Sequence, residues 1–116
     1  MPNQAIAAAR TLQPELVSRL ARFFPQATPV RIPIKLSRSN GKDKTFFQET
    51  VIEFGTPREV LFVVDRPLEF ADRVVLENSD GSLNAEASVV AVQYHPAHTV
   101  VAARFLNDVP NWIVKP

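Results

Sequence analysis

Apolar residues recur along this chain with two different periods, and the change between them falls near Pro25. Before it, Leu16, Leu20 and either Phe23 or Phe24 return at the spacing of one helix face, while Arg19 and Arg22 point elsewhere. Pro14 suits the first turn of that helix, where a missing N–H costs nothing. The preceding Ala5–Thr11 stretch either adds a turn or two of helix or frays. Two prolines bracket Pro25-Gln26-Ala27-Thr28-Pro29, which reads as an extended linker because the residue before a proline avoids the helical region.

Beyond the linker the period becomes two. Val30, Ile32, Ile34 and Leu36 face one way, and Arg31, Lys35 and Ser37 the other, as in a strand with one buried face. Pro33, lacking an N–H, places that strand at a sheet edge or a bulge. Asn40-Gly41 is a hairpin signal, since both residues tolerate the positive φ of a type I′ turn. A second strand then returns through Phe46, Gln48, Thr50, Ile52 and Phe54. Val60–Val64 is a third, Arg73–Glu77 a fourth, Ala85–Tyr94 a fifth and Thr99–Leu106 a sixth, with turns at Asn78-Ser79-Asp80-Gly81 and His95-Pro96-Ala97-His98. The fold expected is all-β with an N-terminal helix: a six-stranded antiparallel barrel, whose closure hides strand edges, in preference to a compact sandwich. The organisation is a helical segment over 1–25, a linker over 26–29 and a barrel with a C-terminal tail over 30–116.

Composition narrows the function more than it names it. A chain of 116 residues suits one domain. Its 13 basic and 12 acidic residues leave a net charge of +1, which gives no electrostatic case for a nucleic acid polymer or a membrane surface. The lack of cysteine removes disulfides, thiolate metal sites and cysteine nucleophiles, and fits a reducing cytoplasm. No basic leader precedes the alanine-rich start, and no stretch approaches the ~20 apolar residues that span a bilayer, so neither export nor membrane insertion is expected.

The search for chemistry yields little. Glycines stand only at 41, 55 and 81, so neither a P-loop nor a dinucleotide GxGxxG can be written, and no serine lies in a GxSxG elbow. His95 and His98, with Asp108 downstream, raise the question of a metal site, but they flank Pro96 in a turn and lack a third ligand at a fixed spacing; polar turn residues are the better reading. Glu49 and Glu53, and Asp65 and Glu69, are scattered as solvated strand and loop carboxylates are. No catalytic residue, metal ligand or cofactor is therefore assigned. The basic residues most worth attention are Arg31, Lys35 and Arg38, on or near the polar face of the first strand, and Arg58: as an exposed cluster they suit an anionic ligand, and solvated charge on a strand's outer face explains them equally well.

The order and spacing of several segments resemble the PilZ domain family. They are Arg31-Ile32-Pro33-Ile34 after a linker, Val60-Leu61-Phe62, Arg66-Pro67-Leu68-Glu69, Val74–Glu77, Ala87–Val92 and Val100–Leu106, with a closing Pro110-Asn111-Trp112-Ile113 similar to tails of some PilZ-like bacterial sequences. The resemblance implies a six-stranded barrel and bacterial signalling by cyclic di-GMP. Family members hold that ligand through RxxxR before the barrel and [D/N]xSxxG on the following strands: arginines grip phosphates and guanine edges, and the glycine lets backbone approach.

Carried onto this chain, those motifs are broken. With Arg31 as the second arginine, the first falls on Ala27; with Arg31 as the first, the second is Lys35, which has no planar fork. The register set by Val60-Leu61-Phe62 puts Phe54, Thr56 and Glu59 at the acid or amide, serine and glycine positions, and only Thr56 keeps a hydroxyl. A gapped register that makes Gly55 the motif glycine gives Thr50 and Ile52 instead. Glu59 sets a carboxylate where a dianionic dinucleotide would come near, and loss of one bidentate arginine alone costs about 1–3 kcal/mol. The expectation is a non-enzymatic binding or regulatory module that has lost cyclic di-GMP binding and works through a protein partner or a homodimer, with the helix over the barrel mouth. The rival expectation keeps cyclic di-GMP or another nucleotide on Arg31, Lys35, Thr56 and Arg58.

Overall fold

A computed structural model describes residues 16–40, 43–109 and Trp112. Pro14, the Ala5–Thr11 stretch, Gly41 of the expected turn and the tail residues around Trp112 lie outside the described residues. Six strands follow one short helical segment, residues 16–21: β1 (Thr28–Asn40), β2 (Asp43–Gly55), β3 (Glu59–Val64), β4 (Arg73–Asn78), β5 (Asn84–His95) and β6 (His98–Phe105). All pairs are antiparallel, and the order β1-β2-β3-β6-β5-β4 returns on itself as a closed barrel. β1 begins at Thr28, two residues before the alternation starts, and its ladder with β4 begins only at Ile34. Pro33 thus lies in a stretch paired on the β2 side alone, where its missing N–H breaks no ladder.

The barrel has apolar material on both sides of one wall. Ile34, Leu36, Ile52, Phe62, Leu76 and Val89 fill the interior with their neighbours. On the other side of β3 and β6, Leu61, Val63, Val100 and Ala102 form a second cluster with Val17 and Leu20 of the helix. This explains why Val60–Val64 and Val100–Ala103 are unbroken apolar runs: strands covered on both faces have no polar side to show. A bulge at Val90 breaks the β5–β6 register, and both Val90 and Ala91 then reach the helix cluster.

The helix therefore covers the wall of the barrel rather than its mouth. Its buried face is Val17 and Leu20, with Leu16, Ala21 and Phe24 packed beside them, whereas Phe23 is 71% exposed. Val17 stands three before Leu20 and seven before Phe24, which places it on the same face as both. Phe23 leaves the face because regular helix ends at residue 21.

A second bulge matters more for function. Leu36 pairs with Gln48 and Ser37 with Phe46, so β2 carries one extra residue, Phe47. The bulge turns Phe47 into the core and leaves Phe46 58% exposed.

Candidate functional site

The expected ligand residues lie towards the end of the barrel where β1 begins and β2 turns into β3. Arg31 is exposed, and its guanidinium stands 4.0 Å from the carboxylate of Glu53. Lys35, also exposed, lies four residues on, about 13 Å at strand rise, and its cross-strand neighbours are Glu49 and Glu77. An anion beside Lys35 would meet both carboxylates.

Thr56 and Arg58 belong to the β2–β3 turn. The Thr56 hydroxyl donates to the Glu59 carboxylate and accepts from the backbone N–H of Arg58 (3.0 Å) and of Glu59 (2.8 Å). A hydroxyl has one proton and two lone pairs, so all three are spent on the turn. Glu59 is held further by Arg104, at 2.8 Å. Arg58 is exposed and anchors β6 through its carbonyl, which accepts from Phe105 N–H. The structure thus joins Thr56 to Arg58 by a turn bond, while Arg31 is engaged with Glu53 and Lys35 stands apart among carboxylates.

Trp112 seals this end. Its indole N–H donates to the Thr56 carbonyl at 3.0 Å, and its ring meets Phe105 edge-on with centroids 5.4 Å apart. The ring lies so close to Gly55 that a Cβ there would come within 2.2 Å of it. Gly55 is required by this contact with the chain's own tail, and Trp112 occupies the space.

The opposite end is different. Interior-facing positions of β1 run Ile34, Leu36 and then Arg38, which has their parity and not that of Arg31 and Lys35. At the rim Arg38 therefore folds over the mouth, its guanidinium 5.3 Å from the centre of the Phe47 ring. Arg66, on the loop after β3, lies 4.5 Å from the same centre and also donates to the Phe47 carbonyl. Asp72 accepts from Arg38 at 3.3 Å and from the Glu69 N–H at 2.9 Å, tying the β3–β4 loop to the rim. Arg38 separates two recesses. One, of about 420 Å³, is lined by Arg38, Thr45, Phe46, Phe47, Arg66 and Pro67; the other, of about 620 Å³, shares Arg38 and Pro67 and is otherwise lined by Glu69, Asp72 and Tyr94. Three of the large apolar side chains left exposed, Phe46, Phe70 and Tyr94, belong to this rim or its loop.

A third recess, of about 530 Å³, opens along the wall between β2 and β3. Only Phe54↔Leu61 and Gly55↔Val60 pair there, after which the strands part. Side chains span the gap instead: the Thr50 hydroxyl donates to the Val63 carbonyl, and the Gln48 side-chain oxygen accepts from Asp65 N–H. Glu53, expected to be a solvated strand carboxylate, is 6% exposed at this seam, because the parted strands and Arg31 enclose it. Burial pushes its carboxyl above the ordinary range, and Arg31 offsets part of that rise.

His95 and His98 face each other across the β5–β6 hairpin, with His98 Nδ1 3.9 Å from Asp65. Among the described residues no three metal-binding side chains converge, and no helix is long and apolar enough to cross a membrane. Sequence reading singled out Arg38 but assigned it to the wrong face, and it noted Arg66 only as part of a pattern. Counting parity from Leu36 places Arg38 inward; no sequence signal marks the bulge that puts Phe47 beneath it. The chain matches no family model, no curated protein and no solved structure.

Proposed function

We propose that this chain is a PilZ-like, non-enzymatic binding or regulatory module of bacterial signalling that has lost cyclic di-GMP binding and works through protein–protein contacts. The observation that carries the reading is the state of the β2–β3 turn. Thr56, the one motif position with a suitable side chain, has its hydroxyl fully committed, and Glu59 stands beside it as a carboxylate locked to Arg104. A ligand would have to break that turn, displace Trp112 and face Glu59, with only Arg31 as a nearby forked cation on β1. The closed six-stranded barrel is the architecture the resemblance implies, and the exposed aromatic and arginine side chains at the far rim support the contact part.

Calorimetric titration of the whole chain with cyclic di-GMP tests it. The expected result is no binding heat at micromolar concentrations. Micromolar or tighter binding that weakens in Arg31→Ala would establish the rival site on Arg31, Lys35, Thr56 and Arg58 and overturn the reading.

A further inference from the structure

We infer that the rim recess between Arg38 and Arg66 is a docking site for an acidic segment of a partner protein, a carboxylate side chain next to an apolar one. This rests on the reading of the chain as a protein-contact module and names the surface that makes the contact.

The cations are built into place. Both guanidiniums lie against the Phe47 ring, at 5.3 Å and 4.5 Å from its centre, so the bulged phenylalanine holds two positive charges at the mouth. Among the described residues, no acidic side chain lines their recess. Among the described residues Asp72 is the one carboxylate paired with either arginine, and it engages Arg38 alone. Arg38 Nε is buried with no acceptor among those residues, an unmet donor on a charged group. A carboxylate entering the recess would give Arg66 the forked partner it lacks and draw Arg38 towards a second acceptor.

The same balance selects the kind of anion. Arg38 and Arg66 against Asp72 leave one net positive charge, which one carboxylate satisfies. Asp72 and Glu69 line the adjoining recess and would repel the further charges of a polyanion. The flanks favour a peptide over a free small anion: Phe46 walls the recess on one side, and Tyr94, its hydroxyl bound to the Leu68 carbonyl, walls the neighbouring one. Exposed aromatics beside arginines are the composition of interface hot spots, where an apolar neighbour of the carboxylate gains burial.

The test is a titration of the labelled whole chain, followed by backbone amide and arginine Nε–H resonances. The probe is an end-blocked peptide of alternating glutamate and leucine. Saturable shifts are expected at Arg38, Arg66, Phe46 and Tyr94, with affinity falling by about tenfold or more in Arg66→Gln and unchanged in Arg58→Gln at the other end. Arg66 is exposed, so its variant keeps the fold, which the unperturbed core resonances verify. Equal binding of a glutamine–leucine peptide, equal competition by inorganic phosphate, or shifts centred on Arg31 or Arg58 would overturn the inference. Blank titrations with both the peptide and cyclic di-GMP sink this site alone. Binding of both ligands, each at its own end, sinks the functional reading and leaves the site standing.

Discussion

The two ends of the barrel carry comparable polar equipment and use it in opposite ways. At the end where β2 meets β3, Thr56, Glu59 and Arg104 satisfy one another, and Trp112 lies over Gly55. At the other rim, Arg38 and Arg66 share one aromatic ring, among the described residues a single carboxylate partners only one of them, and three aromatic side chains face solvent. The first end holds the residues on which the PilZ resemblance would set the ligand motif. Counting donors and acceptors directs attention to the second. Spent hydrogen-bonding capacity distinguishes a structural turn from a binding site even where the residue types are compatible with both.

If the first end is a packed closure, breaking it should cost as much as opening a core. Trp112→Ala removes the edge contact with Phe105 and the bond to the Thr56 carbonyl, and should lower stability by about 3–5 kcal/mol. For a domain of this size that is a fall in Tm on the order of 15 °C or more, read by thermal unfolding. Gly55→Ala should also destabilise, because its Cβ would strike the indole, and the cost should largely vanish when Trp112 is already alanine. Additive losses in the double variant would mean that Gly55 is needed for its backbone and not for the ring.

The matching changes at the open rim should be mild. Arg66→Gln gives up a half-solvated contact with the Phe47 ring, and Arg38→Gln a partly exposed pair with Asp72; each should cost about 1 kcal/mol or less in chemical denaturation. A loss near that of Trp112→Ala would make the two guanidiniums structural and erase the contrast between the ends.

Much of this architecture was legible, and what was not has identifiable causes. Alternation from Val30 to Leu36 and the unbroken runs of β3 and β6 reflect burial on one face or two, which sequence records directly. The inward turn of Phe47 was not legible, because a bulge shifts parity without leaving a residue-type signature. Arg38 was placed with Arg31 and Lys35 on or near the polar face although its parity matches Leu36. Trp112 and Gly55 were each visible, but their contact joins positions far apart in the chain and depends on how the barrel closes. Glu53 was read as solvated because nothing local reveals that β2 and β3 part company beside it.

That seam lies between the two regimes, and the pH dependence of stability shows which it resembles. Burial raises the Glu53 pKa from the ordinary 4.5, more than Arg31 lowers it. As pH rises past about 4.5 the unfolded chain gives up this proton before the folded one does. The folded state then holds more protons, so this group's contribution to stability is full below 4.5 and declines as pH climbs to the raised folded value. Glu53→Gln should therefore gain a small stability advantage over the parent at neutral pH, fading as pH falls below that window. Arg31→Ala should do the reverse, lifting the Glu53 pKa further and deepening the neutral-pH deficit, because it removes the one nearby charge that favours the carboxylate. Thermal unfolding of the three proteins from pH 4 to 7 reads the difference, with the other carboxylates cancelling between them. If Glu53→Gln is instead less stable at neutral pH, the Arg31–Glu53 contact outweighs the burial, and the seam is held by a satisfied pair as the turn at Thr56 is.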